Sequence, residues 1–311
     1  MAANANFDAL LSTTLANYRS QLTDNVFTAR PLTYTLMDKG RIRMLNGGTK
    51  IVEPLIYGQN STVASYSGYD SLALTPQEGI SAAEYDWKQY AASIAISGIE
   101  EAKNNGEQEI INLLEAKIMQ AEESMRESFN QMFFGDGTGN SGKDWNGLGN
   151  LVESGNTVGG INSSTYSYWQ SKEENTATAL TLAQMSTMYN NVSVGNDHPD
   201  TLLTTQTLFE KYEALLQPNL RYTDTKTADA GFQNLLFKAA PVMYDVHCTA
   251  GVFYFLNSKY ITLVGHSNKW FSQTEFIKPE DTDARYALIM CYGNLTVRNR
   301  AKQGKLTAKT A

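Results

Sequence analysis

The stretch GDGTGNSGKDWNGLGNL, Gly135 to Leu151, carries the spacing of a phosphate-binding loop, with Gly137 followed five positions on by Gly142-Lys143. Glycines at that interval let backbone N–H groups wrap phosphate oxygens, a lysine neutralises their charge, and a following Ser or Thr hydroxyl holds magnesium. Here the hydroxyl position is Asp144, which places a carboxylate beside the polyphosphate. A working loop also leaves a buried strand and opens a helix. This one follows helix-forming sequence and runs into Trp145-Asn146-Gly147, a poor helix start. A glycine-rich turn that closes a helix is the expectation.

The remaining chemistry-bearing residues are sparse. Catalysis needs titratable groups brought together, and the histidines are His198, His247 and His266. No nucleophile elbow, metal-binding helix motif or paired-cysteine site is present. DGTGN, from Asp136, offers oxygen ligands without the Asp/Asn series and distal Glu of a calcium loop. His247 adjoins Cys248, but adjacent strand residues point to opposite faces, which argues against a shared metal. His198, before Pro199, reads as an exposed loop residue, and Asp281 and Asp283, near Pro279, as turn formers. Met185 and Met188 read as core. The expectation is no catalytic, cofactor-binding or metal-ligating residue and no cofactor.

Composition narrows the class further. The chain has 311 residues, enough for one large domain or two modest ones. Its net charge of -7, with only 18% charged residues, leaves no broad basic face for sequence-specific nucleic-acid reading. Two cysteines, Cys248 and Cys291, match neither a disulfide framework nor a zinc pattern, so two buried thiols in a reducing compartment are expected. The N-terminus MAANANFDALL lacks a basic region followed by an apolar core, and no apolar run approaches the roughly 20 residues that span a bilayer. A soluble chain, made and used without secretion, is expected.

Periodicity divides the chain. Phe7, Leu10, Leu11, Leu15, Tyr18, Leu22 and Val26 recur at three- and four-residue steps and predict an amphipathic helix. Arg30-Pro31 interrupts it. From Gly47 the pattern turns β-like: KIVEPLIY (Lys50 to Tyr57), EYDWK (Glu84 to Lys88), then Ile94 and Ile96 on the opposite parity, which predicts a bulge or twist near Tyr90. Between them lies a long stretch in which only Asp70 and Glu78 are charged, yet which carries Tyr66, Tyr69, Leu72 and Leu74. A disordered spacer lacks such residues. Gly47 to Gly98 therefore reads as one two-stranded excursion, with legs of up to about 25 residues at about 3.3 Å each. That reach exceeds the radius of gyration of about 20 Å for a compact chain of this length. A lone hairpin is marginal in water, so a neighbouring molecule must support it; a hairpin folded back on its own core is the alternative.

Next, Ile110, Leu114, Ile118, Ala121, Met125, Phe129 and Met132 form a stripe that predicts a helix from Glu107 to Phe134, about 42 Å long at 1.5 Å per residue. Asn104 is its expected cap and Gly135 its expected left-handed stop. Residues from Leu151 to Cys248 read as a mixed α/β unit, with NTVGGINSSTYSYW as loop, helices at Leu182 to Val192 and Leu208 to Gln217, a strand at Thr201 to Thr205, and Pro218 ending the second helix. GVFYFLNSKYITLVG predicts two strands, and WFSQTEFI, KPEDTD, ARYALIMCYG and NLTVRN an antiparallel tail.

This order, together with GGTKIVEPLIYGQNSTVASYSGYD, FFGDGTGNSGKDWNGLGNLV and KPEDTDARYALIMCYGNLTVRNRAKQG, resembles the major capsid proteins of tailed bacteriophages with the Hong Kong 97 fold. The resemblance spans nearly the whole chain, although residues 151 to 250 match by layout more than by motif. It implies an α+β capsid fold: an N-terminal arm (1–46), an extended loop (47–98) lying on the adjacent subunit, a peripheral domain with the spine helix (99–150), an axial domain (151–251) and the C-terminal strands of the peripheral domain (252–311). KPEDTD would meet its copies around three-fold positions. The implied function is a non-enzymatic shell subunit of a tailed double-stranded DNA phage. It assembles with itself into hexamers and pentamers of an icosahedral head in the bacterial cytoplasm, and encloses DNA without reading its sequence. With residues 1–46 before the loop, the implied partners are a separate scaffolding protein or none, a portal, and decoration proteins. Some family members join subunits through a Lys-Asn isopeptide bond; Lys50 lies near the loop base, and nothing in the sequence establishes that chemistry. An encapsulin-like bacterial compartment of the same fold is the second reading, and a phosphate-loop enzyme that uses Lys143 the third.

Overall fold

Arg30 is extended, as a residue before proline must be, but Pro31 opens a new helix, Pro31–Asp38 (α1). A proline at the first helical position loses nothing, because its missing N–H would have no partner there. A computed structural model of the chain describes residues 30–103, 107–216 and 235–311. The expected helix over Phe7 to Val26, the Asn104 cap and the Pro218 stop lie outside the described residues. After α1 come four strands, Ile42–Leu45 (β1), Ile51–Ile56 (β2), Ile80–Tyr85 (β3) and Lys88–Ser97 (β4). A short helix, Gly98–Lys103 (α2), leads to the spine helix, Glu107–Phe134 (α3).

The excursion divides where its burial parity changes. β2 pairs antiparallel with β3, from Ile51 opposite Tyr85 to Ile56 opposite Ile80. β4 leaves the pair and forms a long antiparallel ladder with Ala284–Val297 (β14), Lys88 opposite Gly293 through Ser97 opposite Ala284. The two-stranded excursion expected over 47–98 therefore ends before Lys88. The break expected near Tyr90 falls at Asp86-Trp87, where the inward set changes from Ala83 and Tyr85 to Ile94 and Ile96. Since side chains alternate with a period of two, an interruption was required; burial of the isoleucines against the main sheet set its position.

Two sheets organise the body. The five-stranded sheet runs β1, Ile261–His266 (β12), β14, Ser272–Gln273 (β13), with β4 also on β14. The spine helix lies against β4; Ile118, Ala121, Met125 and Phe129 of its stripe are buried, Met132 is half-buried, and the neighbouring Phe133 is buried. The helix ends at the expected place but not by the expected geometry. Gly135 is not left-handed, and Gly137, at φ +76°, is. Gly135 instead lets its carbonyl receive the Gly149 N–H at 3.0 Å.

The second sheet has six strands in the order Lys172–Ala179 (β7), Gly304–Thr310 (β15), Phe253–Leu256 (β11), Thr201–Thr204 (β8), Ala240–Tyr244 (β10), Leu235–Phe237 (β9). Helices Leu182–Val192 (α4) and Gln206–Leu216 (α5) supply its second core with Met185, Met188, Phe209 and Tyr212. Thr181 caps α4 reciprocally with Gln184. GVFYFL and ITLVG do form two strands, one in each sheet. β15 returns to the six-stranded sheet instead of remaining with the C-terminal tail, so the 252–311 segment serves both sheets. The segment expected as loop, NTVGGINSSTYSYW, contains a tight hairpin, Thr157–Val158 (β5) with Ile161–Asn162 (β6).

Candidate functional site

Two features invite a functional reading, the glycine loop after the spine helix and the β2–β3 hairpin. In the first, Asp136 Oδ1 accepts from Thr138 N–H at 2.9 Å and Thr138 Oγ1 at 2.7 Å. The Gly142 N–H donates to Thr138 O, Lys143 N–H to Asn140 O and Asp144 N–H to Gly139 O. These amides, which a phosphate loop would aim at its ligand, are spent inside the turn. Lys143 is exposed, and the turn delivers Trp145 into full burial against Phe129 and Phe133. The loop is a structural closure of the spine helix.

The other candidate groups are dispersed. His247 and Cys248 sit in a turn, not a strand; Cys248 is buried while His247 Nε2 lies 2.6 Å from Glu127 Oε1. The Arg30 guanidinium joins the same carboxylate, and these partners, His247 first, hold the Glu127 carboxyl below its usual range. Burial pushes the Cys248 and Cys291 thiols up. His198 is exposed and stacks on Tyr189. Asp281 and Asp283 lie in the exposed KPEDTD turn, with Lys278 Nζ 3.0 Å from Asp283 Oδ1. Among the described residues no group of three or more His, Cys, Asp or Glu is placed to hold a metal, and no helix is long and apolar enough to cross a membrane.

The hairpin is different. From Val63 to Glu78 every residue is exposed, including Tyr69 at 108% and Leu74 at 92% of full accessibility. Ile56 and Ile80, opposite each other on its outer face, are exposed at 85% and 78%. Local turns shape the tip: Asp70 Oδ2 accepts from Ser67 N–H, and Gln77 Oε1 bridges the legs to Ser61 N–H and Oγ. Gly58 and Gly79 meet at backbone distance, where an added Cβ on Gly58 would lie 3.1 Å from Gly79 Cα.

Its base is held firmly. Glu53 is fully buried on the inward face of β2, between Ile51 and Leu55. The Arg298 guanidinium donates to Glu53 Oε2 at 2.7 Å, and Arg43 and the Thr296 hydroxyl donate to Oε1. A buried carboxylate demands such partners. Tyr85 Oη donates to Val297 O at 2.8 Å, and Trp87 Nε1 to Gly48 O at 2.9 Å. Lys50 Nζ pairs with Glu84 at 2.9 Å across the two strands. The sequence carried half of this signal: a lone Glu at the inward parity of an apolar strand. Its partners could not be read, since Arg43 belongs to another sheet and Arg298 to the far end of the chain. The arrangement is an exposed, partly apolar finger on a charge-locked root.

Comparison with known proteins accords with this reading. A family model described as SU10 major capsid protein matches residues 90–310. The chain belongs to that family. This major capsid protein is similar in fold to the cyanophage A-1(L) capsid subunit, at TM-score 0.64 and 15% identity, covering 87% of this chain and 91% of that one. It is also similar to the capsid of a native GTA particle, at TM-score 0.55 and 12% identity, with 88% and 89% covered. The SrpI encapsulin of Synechococcus elongatus PCC 7942 follows at TM-score 0.55 and 11% identity, with 88% and 87% covered. No curated protein matches the sequence. The capsid protein thus has the α+β Hong Kong 97-type fold expected from its sequence, and its family places it among phage shell proteins.

Proposed function

We propose that this capsid protein builds an icosahedral phage head from hexamers and pentamers of itself, each hairpin gaining its order from the adjacent copy. The observation that carries this is the finger from Val63 to Glu78, apolar in part yet without cover from the described residues of its own chain. Several large apolar side chains exposed on one projection fit an interaction site. A contact of one surface with a different surface on the next copy forms a ring where the rotation between copies closes.

On this reading residues 1–46 are the arm, 47–98 span the extended loop and its return strand, 99–150 and most of 252–311 form the peripheral domain, and 151–251 the axial domain. The pairing of β15 with β7 and β11, and of β11 with β8, supports a revised division in which residues 253–256 and 304–310 go with the axial sheet, and that of β1 with β12 one in which residues 42–45 go with the peripheral sheet. KPEDTD would meet its copies at three-fold positions. Partners are other copies, a separate scaffolding protein or none, a portal, and decoration proteins. Assembly takes place in the host cytoplasm, and the shell encloses DNA without gripping it, in keeping with a net charge of -7. No catalytic role is assigned.

Electron microscopy of purified protein tests this directly: closed shells or hexamer and pentamer rings are expected, and a uniformly monomeric preparation under capsid-assembly conditions would overturn it. Deleting Asn60 to Gly79 should leave a folded, soluble subunit that forms no stable shell. The encapsulin-like reading, which the SrpI neighbour keeps in view, predicts particles filled with protein cargo instead of DNA.

A further inference from the structure

The root of the hairpin is held at two places. One is the Glu53 lock. The other, along the free edge of β3, is the tight β5–β6 hairpin, in a segment expected as loop. Gly159 O accepts the Glu84 N–H at 3.0 Å. Gly159 has φ +61°, and a Cβ added there would come within 2.6 Å of Ala83 Cβ, so its backbone lies directly against β3. One strand further out, Tyr57 at the end of β2 stacks on Tyr168 with ring centroids 4.6 Å apart and planes 14° apart. Between these points lies an open cleft of about 610 Å³, lined by Tyr57, Ile80, Tyr166 and Tyr168 among others. The β5–β6 turn and Tyr168 therefore touch the hairpin at a few discrete points, each of which bears on its direction.

Those points are themselves rigid. Val158, Ile161 and Trp169 are buried, and Trp169 Nε1 donates to Val158 O at 3.0 Å. The fully buried Arg300 guanidinium donates to Leu151 O at 2.9 Å, and to Glu153 O and Asn156 Oδ1 at the foot of the β5–β6 hairpin. Desolvation lowers its pKa to about 10, which still leaves it charged at neutral pH.

We propose that the Gly159 turn and the Tyr57–Tyr168 stack form a second brace that sets the pitch of the projecting hairpin and, through it, the curvature of the shell. Gly159, Tyr57 and Tyr168 are positioning residues: they orient the finger without being the surface it presents. An offset aromatic pair contributes about 0.5–1.5 kcal/mol beyond its burial. A finger some tens of ångströms long magnifies small angular changes at its root into large displacements at its tip. The curvature half of the proposal rests on the shell reading above; the brace does not.

The test is the distance between nitroxide labels on Tyr69→Cys at the tip and Met119→Cys on the exposed face of the spine helix, measured by pulsed electron resonance on labelled chains diluted into unlabelled ones. The native thiols are buried and leave the labelling selective. The otherwise unmodified chain, Tyr168→Phe and Gly160→Ala should each give the same distribution. Gly160 has a positive φ like Gly159 but open space around it, so it separates backbone strain from contact. Gly159→Ala should shift the mean distance, and Tyr168→Ala should at least double the width. If Gly159→Ala does not fold, Tyr168→Ala decides. Distributions that coincide with the parent in both would overturn the brace. Particle diameters by electron microscopy test the second half: uniform diameters for a variant whose hairpin distances have broadened would overturn the link to curvature. If the parent chain formed no particles, the shell reading would fail while the brace was still judged on distances.

Discussion

Glu53 Oε2 and the Arg298 guanidinium lie 2.7 Å apart although 245 positions separate them in the chain, and the bond ties the root of a projecting hairpin to the C-terminal end of β14. Glu53 is fully buried, and both of its arginine partners retain some contact with water. Removing the carboxylate therefore frees two cations that water can partly solvate, whereas removing both arginines strands a buried charge.

The first prediction follows from that asymmetry. Glu53→Gln should destabilise the fold by about 2–3 kcal/mol, less than the 3–5 kcal/mol of a fully buried broken pair. The hairpin should become more sensitive to proteolysis before the body does. Denaturant midpoints with mapping of the first cleavage site measure both; first cleavage outside residues 47–86 would contradict the assignment of Glu53 as the hairpin's lock.

Phe129 faces Tyr90, Phe133, Trp145 and Phe271 at centroid distances of 4.6, 5.8, 5.1 and 6.0 Å. It joins the spine helix, β4, the glycine loop and the strand region after β12 in one cluster. Phe129→Ala should cost about 3–5 kcal/mol. Lys143→Ala, on the same loop but exposed, should leave thermal stability within about 0.5 kcal/mol and give no change in response to millimolar nucleotide. Stabilisation by nucleotide in the parent chain that the lysine variant loses would revive the phosphate-loop reading.

Acid should weaken the junction between β4 and the spine helix. Glu100 Oε2 accepts from the Ser97 N–H at 3.0 Å and from Lys117 Nζ at 2.9 Å. Led by the Ser97 backbone bond, these contacts lower the Glu100 carboxyl from 4.5 to about 2. A carboxyl depressed by folding stabilises above its unfolded pKa, and that contribution fades as pH falls toward the folded one. Stability should therefore drop between pH 4.5 and about 2, and Glu100→Gln should flatten the slope in that window. Unfolding midpoints across the window, compared between the two proteins, decide this; identical slopes would contradict it.

The C-terminal strand should be indispensable. β15 lies between β7 and β11, and Lys309 is buried with its Nζ 3.0 Å from Glu174 Oε1. Deleting residues 304–311 removes an interior strand and its apolar anchor Leu306. Near-ultraviolet circular dichroism should show lost tertiary order. A deletion variant with the parent spectrum and midpoint would show that the sheet closes without it.

Local regularity made part of this protein legible from sequence. The spine helix was bounded correctly because seven apolar residues kept one helical face over its length, and α4 was bounded correctly at Leu182 and Val192. The finger was legible as well: a long, weakly charged stretch with tyrosines and leucines between two β-prone runs suits neither a core nor a spacer. β7 was missed because KEENTATA shows no apolar alternation; its exposed pattern follows from its place at a sheet edge.

What the chain's own pattern determined was which segments form helix, strand and finger, since those depend on side-chain period and on turn residues within reach of one another. Only the tertiary structure decided where β4 leaves the hairpin, which sheet receives β15, and what satisfies Glu53. Each of those outcomes is a pairing between segments far apart in sequence, and a strand's alternation states that it has a buried face without naming what will bury it.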